Sequence, residues 1–168
     1  MSYVPINSLP SESRLWIYPS STELSASQQD ALGAALQEAL AAWNAHGASV
    51  QWGFGFVQDR FLLVAINEDA AALTGCSIDQ ATRAMSVLEQ THNLSLTDSH
   101  RVFFRGKDGI RVVPRPEFAQ LVERGEVTLD TVVFDTVVPT LGGFLSGSWE
   151  CPARDSWHAD AFPFGIAT

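Results

Sequence analysis

At 168 residues and 18.3 kDa the chain is long enough to bury a sizeable core, and its length favours a single domain. Hydrophobic residues make up 46% and charged residues 17%, which argues against disorder and against a long charged coiled coil. With a net charge of −9, nine Arg and a single Lys (Lys107), there is no basic stripe for a nucleic-acid backbone.

Residues 1–13 are polar, contain Pro5 and Pro10, and read as an extended lead-in. Arg14-Leu15-Trp16-Ile17-Tyr18 is a short strand closed by Pro19-Ser20-Ser21. Ser25 or Ser27 can cap the next element, with Gln28 or Asp30 three residues on to complete a capping box. Leu32, Leu36, Leu40 and Trp43 then recur at helical spacing, and the helix is expected to end at His46-Gly47. Val50, Trp52, Phe54 and Phe56 alternate with smaller or polar residues, and a turn at Gln58-Asp59 leads into the apolar run Phe61–Ile66. This pair predicts a hairpin whose second strand is central. Ser77 can cap a second helix with Ile78, Ala81, Met85 and Leu88 on its buried stripe and Asn93 at its end. Val102-Phe103-Phe104 is a fourth strand, and Gly106-Lys107-Asp108-Gly109 turns it into Ile110–Val113. Pro116 suits the start of a short helix carrying Phe118, Leu121 and Val122 and ended by Gly125, and Thr131–Phe134 is one more strand. From Pro139 the chain is rich in Gly, Ser and Trp and has no clear period.

The order strand, helix, strand, strand, helix, strand predicts an α+β protein with a ferredoxin-like βαββαβ core over 14–113. Residues 114–168 form a C-terminal helix–strand–tail appendage in the same single domain. Amphipathic helices cover one sheet face, and the rest of the chain is expected to cover the other.

Trp43-x-x-His46-Gly47, Arg60-Phe61, Gly75-Cys76-Ser77-Ile78-Asp79 and Ser156-Trp157-His158 occur in that order. Together they resemble a small bacterial family of unassigned function whose members often carry the automatic label "ABC transporter ATPase". The resemblance covers most of 14–160 and implies a fold and a set of positions, but no reaction. The label finds no support in the residues. A P-loop needs G-x-x-x-x-G-K-[ST], so that backbone N–H groups cradle phosphates beside the Lys. Lys107 follows Gly106 but lacks both the first Gly and the Ser or Thr.

Cys76 sits beside a predicted helix start, where free N–H groups and the helix dipole favour negative charge. It reads as a lowered-pKa nucleophile, with His46 or His158 as base and Asp79 or Asp155 as orienting carboxylate, or as a small buried plug in a tight turn. His46 reads as a catalytic base or as a cap on the helix C-terminus. Ser156-Trp157-His158 with Asp155 and Asp160 places an imidazole beside a carboxylate in an aromatic pocket, or forms a tail that covers a sheet face. The catalytic candidates are therefore Cys76, His46 and His158, and the binding candidates Trp43, Asp79 and Trp157.

Cys76 and Cys151 make no disulfide framework, and no His or Cys pair has zinc-type spacing, so no metal site or cofactor is expected. The first residues lack a signal-peptide pattern, and no apolar run approaches the roughly 18 residues that span a bilayer. The chain is expected in the cytoplasm, off membranes and nucleic acid, as a non-enzymatic module for a small molecule or a protein, with homodimerisation open. The alternative is a thiol-dependent or redox-sensitive protein using Cys76.

Overall fold

The computed structural model describes residues 2–41, 50–67 and 75–165, and of residues 41 and 75–82 the backbone only. The chain divides into two compact units, Met1–Thr97 with Val138–Gly143, and Asp98–Val137 with Phe144–Thr168. Each unit has its own four-stranded sheet, and the described chain is of mixed α and β structure.

The first unit contains β1 (Ser2–Tyr3), β2 (Arg14–Pro19), α1 (Ala26–Ala41), β3 (Gln51–Val57), β4 (Phe61–Asn67) and α2 (Gly75–His92). Ser25 Oγ accepts from Gln28 N (3.3 Å) and Gln28 Oε1 from Ser25 N (2.9 Å), the reciprocal cap that starts α1. Leu32, Leu36 and Leu40 lie one helical turn apart and are buried, together with Trp52, Leu62, Val64, Ile66, Met85 and Leu88. Asn93, in the left-handed region with φ 52°, ends α2. Glu89 then fixes the following loop by accepting from the amides of Leu96 (2.5 Å) and Thr97 (2.6 Å).

The sheet order is β1-β3-β4-β2, with β4 antiparallel to both neighbours. Phe61 through Ile66 are all buried, as a central strand requires. The β3–β4 turn places both Gln58 and Asp59 at positive φ (55° and 47°), the hand that matches strand twist. A Cβ at Gly53 would stand 2.5 Å from Val4 O, so the glycine lets the lead-in cross the sheet. Arg60 is buried, and its Nη1 donates to Ser20 O (3.2 Å) and Ser21 O (2.9 Å), fastening the segment that precedes α1.

The second unit contains β5 (Arg101–Gly106), β6 (Gly109–Pro114), α3 (Arg115–Glu123), β7 (Val132–Phe134), β8 (Glu150–Pro152) and α5 (His158–Ala161), while α4 (Leu141–Leu145) leads the chain into β8. Its sheet order is β6-β5-β7-β8, antiparallel throughout. Pro116 lies in the first turn of α3, and Gly125 at φ 71° receives the chain as α3 ends. Phe118, Leu121 and Val122 pack on Val102, Phe104, Val113 and Val133, with Phe162 and Phe164 at the margin.

The structure departs from the expected topology: β1 forms in the lead-in, β8 forms in the tail that has no period, and the predicted fourth strand leaves the first sheet. The predicted fourth strand pairs with β6 and β7, not with β2. The tight turn between Gly106 and Gly109 brings β6 onto one edge of β5, and β7 takes the other, so no ladder position is left for the first sheet. The outer side of β2 is met instead by residues 139–140, with Leu15 N donating to Pro139 O at 2.9 Å.

Candidate functional site

The six predicted site residues do not all fall within the described chain. Trp43 and His46 lie outside the described residues. The backbones of Cys76 and Asp79 belong to α2, which starts at Gly75, and their side chains are outside the description. Ser77, expected as the N-cap, is therefore already in helical backbone, with the cysteine in the first turn. Trp157 and His158 are both described, and they meet.

The chain reaches them by way of β8, a 3₁₀ turn over Ala153–Asp155, and α5. Ser156 Oγ stands 3.2 Å from Ala153 O and 2.8 Å from His158 Nδ1. A hydroxyl donates once. With its proton directed to Ala153 O, Oγ accepts from Nδ1–H and fixes that tautomer of the ring. Trp157 stacks on His158 with centroids 3.9 Å apart and planes at 24°. Arg115, the first residue of α3, lies over the indole at 4.8 Å, and Phe162 parallels the imidazole at 6.1 Å and 18°. Phe118 closes the group at 6.0 Å from His158 and 4.6 Å from Phe162. Guanidinium, indole and imidazole are thus layered, and aromatic packing of this kind adds about 0.5–1.5 kcal/mol per pair beyond area burial.

Burial sets the electrostatics of the cluster. His158 is 1% exposed, and burial, helped by the Arg115 charge, pushes its pKa down to about 4. The ring is neutral at pH 7, and its Nδ1 partner is Ser156, not the Asp155 or Asp160 that the sequence offered. Burial raises the Asp135 carboxyl above its ordinary range, against the pull of the Val137 N–H at 3.0 Å. The Trp157 N–H is near enough to Asp135 to favour its charged form but lies outside hydrogen-bond geometry, which leaves Nε1 buried and unbonded. Cys151 is half-buried in β8, where burial and then the charges of Asp135 and Asp155 push its thiol up, away from thiolate.

Arg115, Phe118, Asp135 and Phe162 carried no functional signal in the sequence. Arg115 adjoins the predicted helix start, but nothing local pairs it with a tryptophan 42 positions later. Among the described residues no three His, Cys, Asp or Glu side chains converge as a metal site, and no helix is long and apolar enough to cross a membrane. Comparison with protein-family models, with curated proteins and with solved structures gave no match to this chain.

Proposed function

We propose that this chain is a non-enzymatic binding or interaction module for a small molecule or a protein. The observation that carries the reading is the state of His158, the one catalytic candidate whose surroundings are described. Its ring is buried, uncharged at neutral pH, held at Nδ1 by Ser156 and flanked by aromatic rings. An imidazole so placed orders the aromatic packing of the tail and is poorly matched to acid–base work at pH 7. The thiol in the same unit is likewise held protonated.

The first unit enters the same proposal as a split β-α-β of ferredoxin-like type, supported by the order β3-β4-β2 with α1 connecting β2 and β3. The motifs shared with the family often labelled as an ATPase add positions but no reaction, and Arg60 of those motifs serves as a backbone clamp. Cytoplasmic residence and self-association belong to the proposal as well.

A second reading rests on Cys76, whose backbone lies in the first turn of α2, where unpaired N–H groups favour a thiolate. Alkylation of the folded chain as a function of pH, with Cys76 and Cys151 resolved by peptide mass spectrometry, separates the two readings. The binding-module reading predicts that Cys76 reacts with a midpoint at or above the ordinary thiol value of about 8.5, or only on unfolding. A midpoint at or below about 7 with fast reaction transfers the function to the thiol.

A further inference from the structure

The tip of the β5–β6 hairpin borders an open cavity of about 900 Å³, lined by Phe104, Arg105, Lys107, Arg111, Glu126 and Thr131 among others. In a chain with net charge −9 and ten basic residues, Arg105, Lys107 and Arg111 fall within seven positions and face one cavity. Two of the charged lining groups already have partners. Arg105 Nη2 is 2.6 Å from Glu150, with its guanidinium over Phe134 at 5.1 Å, and Glu126 is 2.7 Å from Arg124.

The lining that remains is rich in donors. Among the described residues no ion pair engages Lys107 or Arg111. Thr131 Oγ1 accepts from Thr128 N at 2.9 Å, so its own O–H is left to donate. Arg111 is also positioned. Its guanidinium lies 5.1 Å over the Phe104 ring, and its stem crosses Gly106, where a Cβ would stand 2.7 Å from Arg111 Cγ and Cδ. Gly106 therefore leaves room for the arginine to lie flat. A guanidinium fork, an ammonium and a hydroxyl complement a group that only accepts, and outweigh Asp108, the lining carboxylate that lacks an ion pair and opposes an anion.

The geometry points to this cavity as a binding site for the oxyanion head of a small molecule, phosphate or carboxylate. The inference rests on the binding-module reading and names its ligand class. Arg111 supplies the planar two-point contact, Lys107 the mobile charge and Thr131 the neutral donor.

The test is an amide NMR titration of the full chain at fixed ionic strength, with pyrophosphate, with citrate and with sodium chloride as reference. Saturable shifts at residues 105–111 and 131 are expected with pyrophosphate or citrate, and the tighter of the two names the phosphate or the carboxylate source. Arg111→Gln and Lys107→Gln should each weaken that binding about tenfold or more while leaving the spectrum folded. Gly106→Ala, which changes no charge, should weaken it several-fold by displacing the Arg111 stem. Shifts that grow linearly and match those from chloride, or variants that bind like the parent, overturn the site. In that case the binding-module reading still stands or falls separately, on the Cys76 alkylation profile.

Discussion

The two units bury their sheets by different means. The first packs two long helices on its sheet with leucines at helical intervals, and its central strand β4 spans seven residues. The second has a nine-residue helix and strands β7 and β8 of three residues each, and it adds aromatic rings to an aliphatic core of Val102, Val113, Leu121, Val122, Val127 and Val133: Phe104, Phe118, Trp157, His158 and Phe162 in one cluster, Phe134, Trp149 and Phe144 in another. Short strands make few ladder bonds and bury little aliphatic surface. Large flat rings compensate by burying 150–250 Å² each. The difference teaches why the imidazole of His158 is found among stacked rings in the second unit.

The sharpest way to break the second scheme is Phe118→Ala. The ring is fully buried and touches Phe104, Phe162 and His158, so its removal should cost about 3–5 kcal/mol in denaturant unfolding. Tail amides should lose hydrogen-exchange protection before those of β4. If β4 loses protection first, the aromatic cluster is not what holds the second unit.

Acid should act on the second unit next. His158 has a folded pKa of about 4 against an ordinary 6.5, so between these values the unfolded chain binds the extra proton. The associated stability is fully present above pH 6.5 and is lost as pH falls towards 4, about 3 kcal/mol in all. The raised Asp135 carboxyl works the other way, gaining stability as it protonates in the acid range. His158→Phe should flatten the stability profile between pH 4 and 6.5, which urea titrations at several pH values would read. An unchanged slope would move the acid sensitivity elsewhere.

Two smaller substitutions probe the first unit. Arg60→Ala leaves Ser20 O and Ser21 O without their cationic donor and should cost about 2–3 kcal/mol, with little dependence on pH between 5 and 8. Ser25→Ala removes half of the α1 capping box for about 1 kcal/mol, read as a shift in thermal midpoint. A larger loss from Ser25→Ala than from Arg60→Ala would reverse the roles assigned to clamp and cap.

The same contrast governs what could be read from the chain. Leu32, Leu36 and Leu40 announced α1, and Ser25 with Gln28 announced its cap, because helix periodicity and capping are local signals. Phe61–Ile66 showed a central strand for the same reason. The assignment of β5 was not local: the run Val102–Phe104 fits either sheet, and its placement follows from the β6 turn and from β7, some thirty residues on. The tail is illegible by period because its three-residue strand and four-residue helix each span fewer than two repeats of their patterns, 2 residues for a strand and 3.6 for a helix. Ser156-Trp157-His158 was visible as a motif, but its partners Arg115, Phe118 and Phe162 come from other elements. Ser156, rather than Asp155 or Asp160, is the partner of the His158 Nδ1.

The most direct measurement is a nitrogen-15 NMR titration of the four imidazoles in the folded chain, with His158 assigned by its loss in His158→Phe. The account predicts a His158 ring that stays neutral with its proton on Nδ1 throughout the neutral range and titrates near 4. A His158 that titrates near 6.5, or carries its proton on Nε2, would contradict it and reopen the imidazole to catalysis.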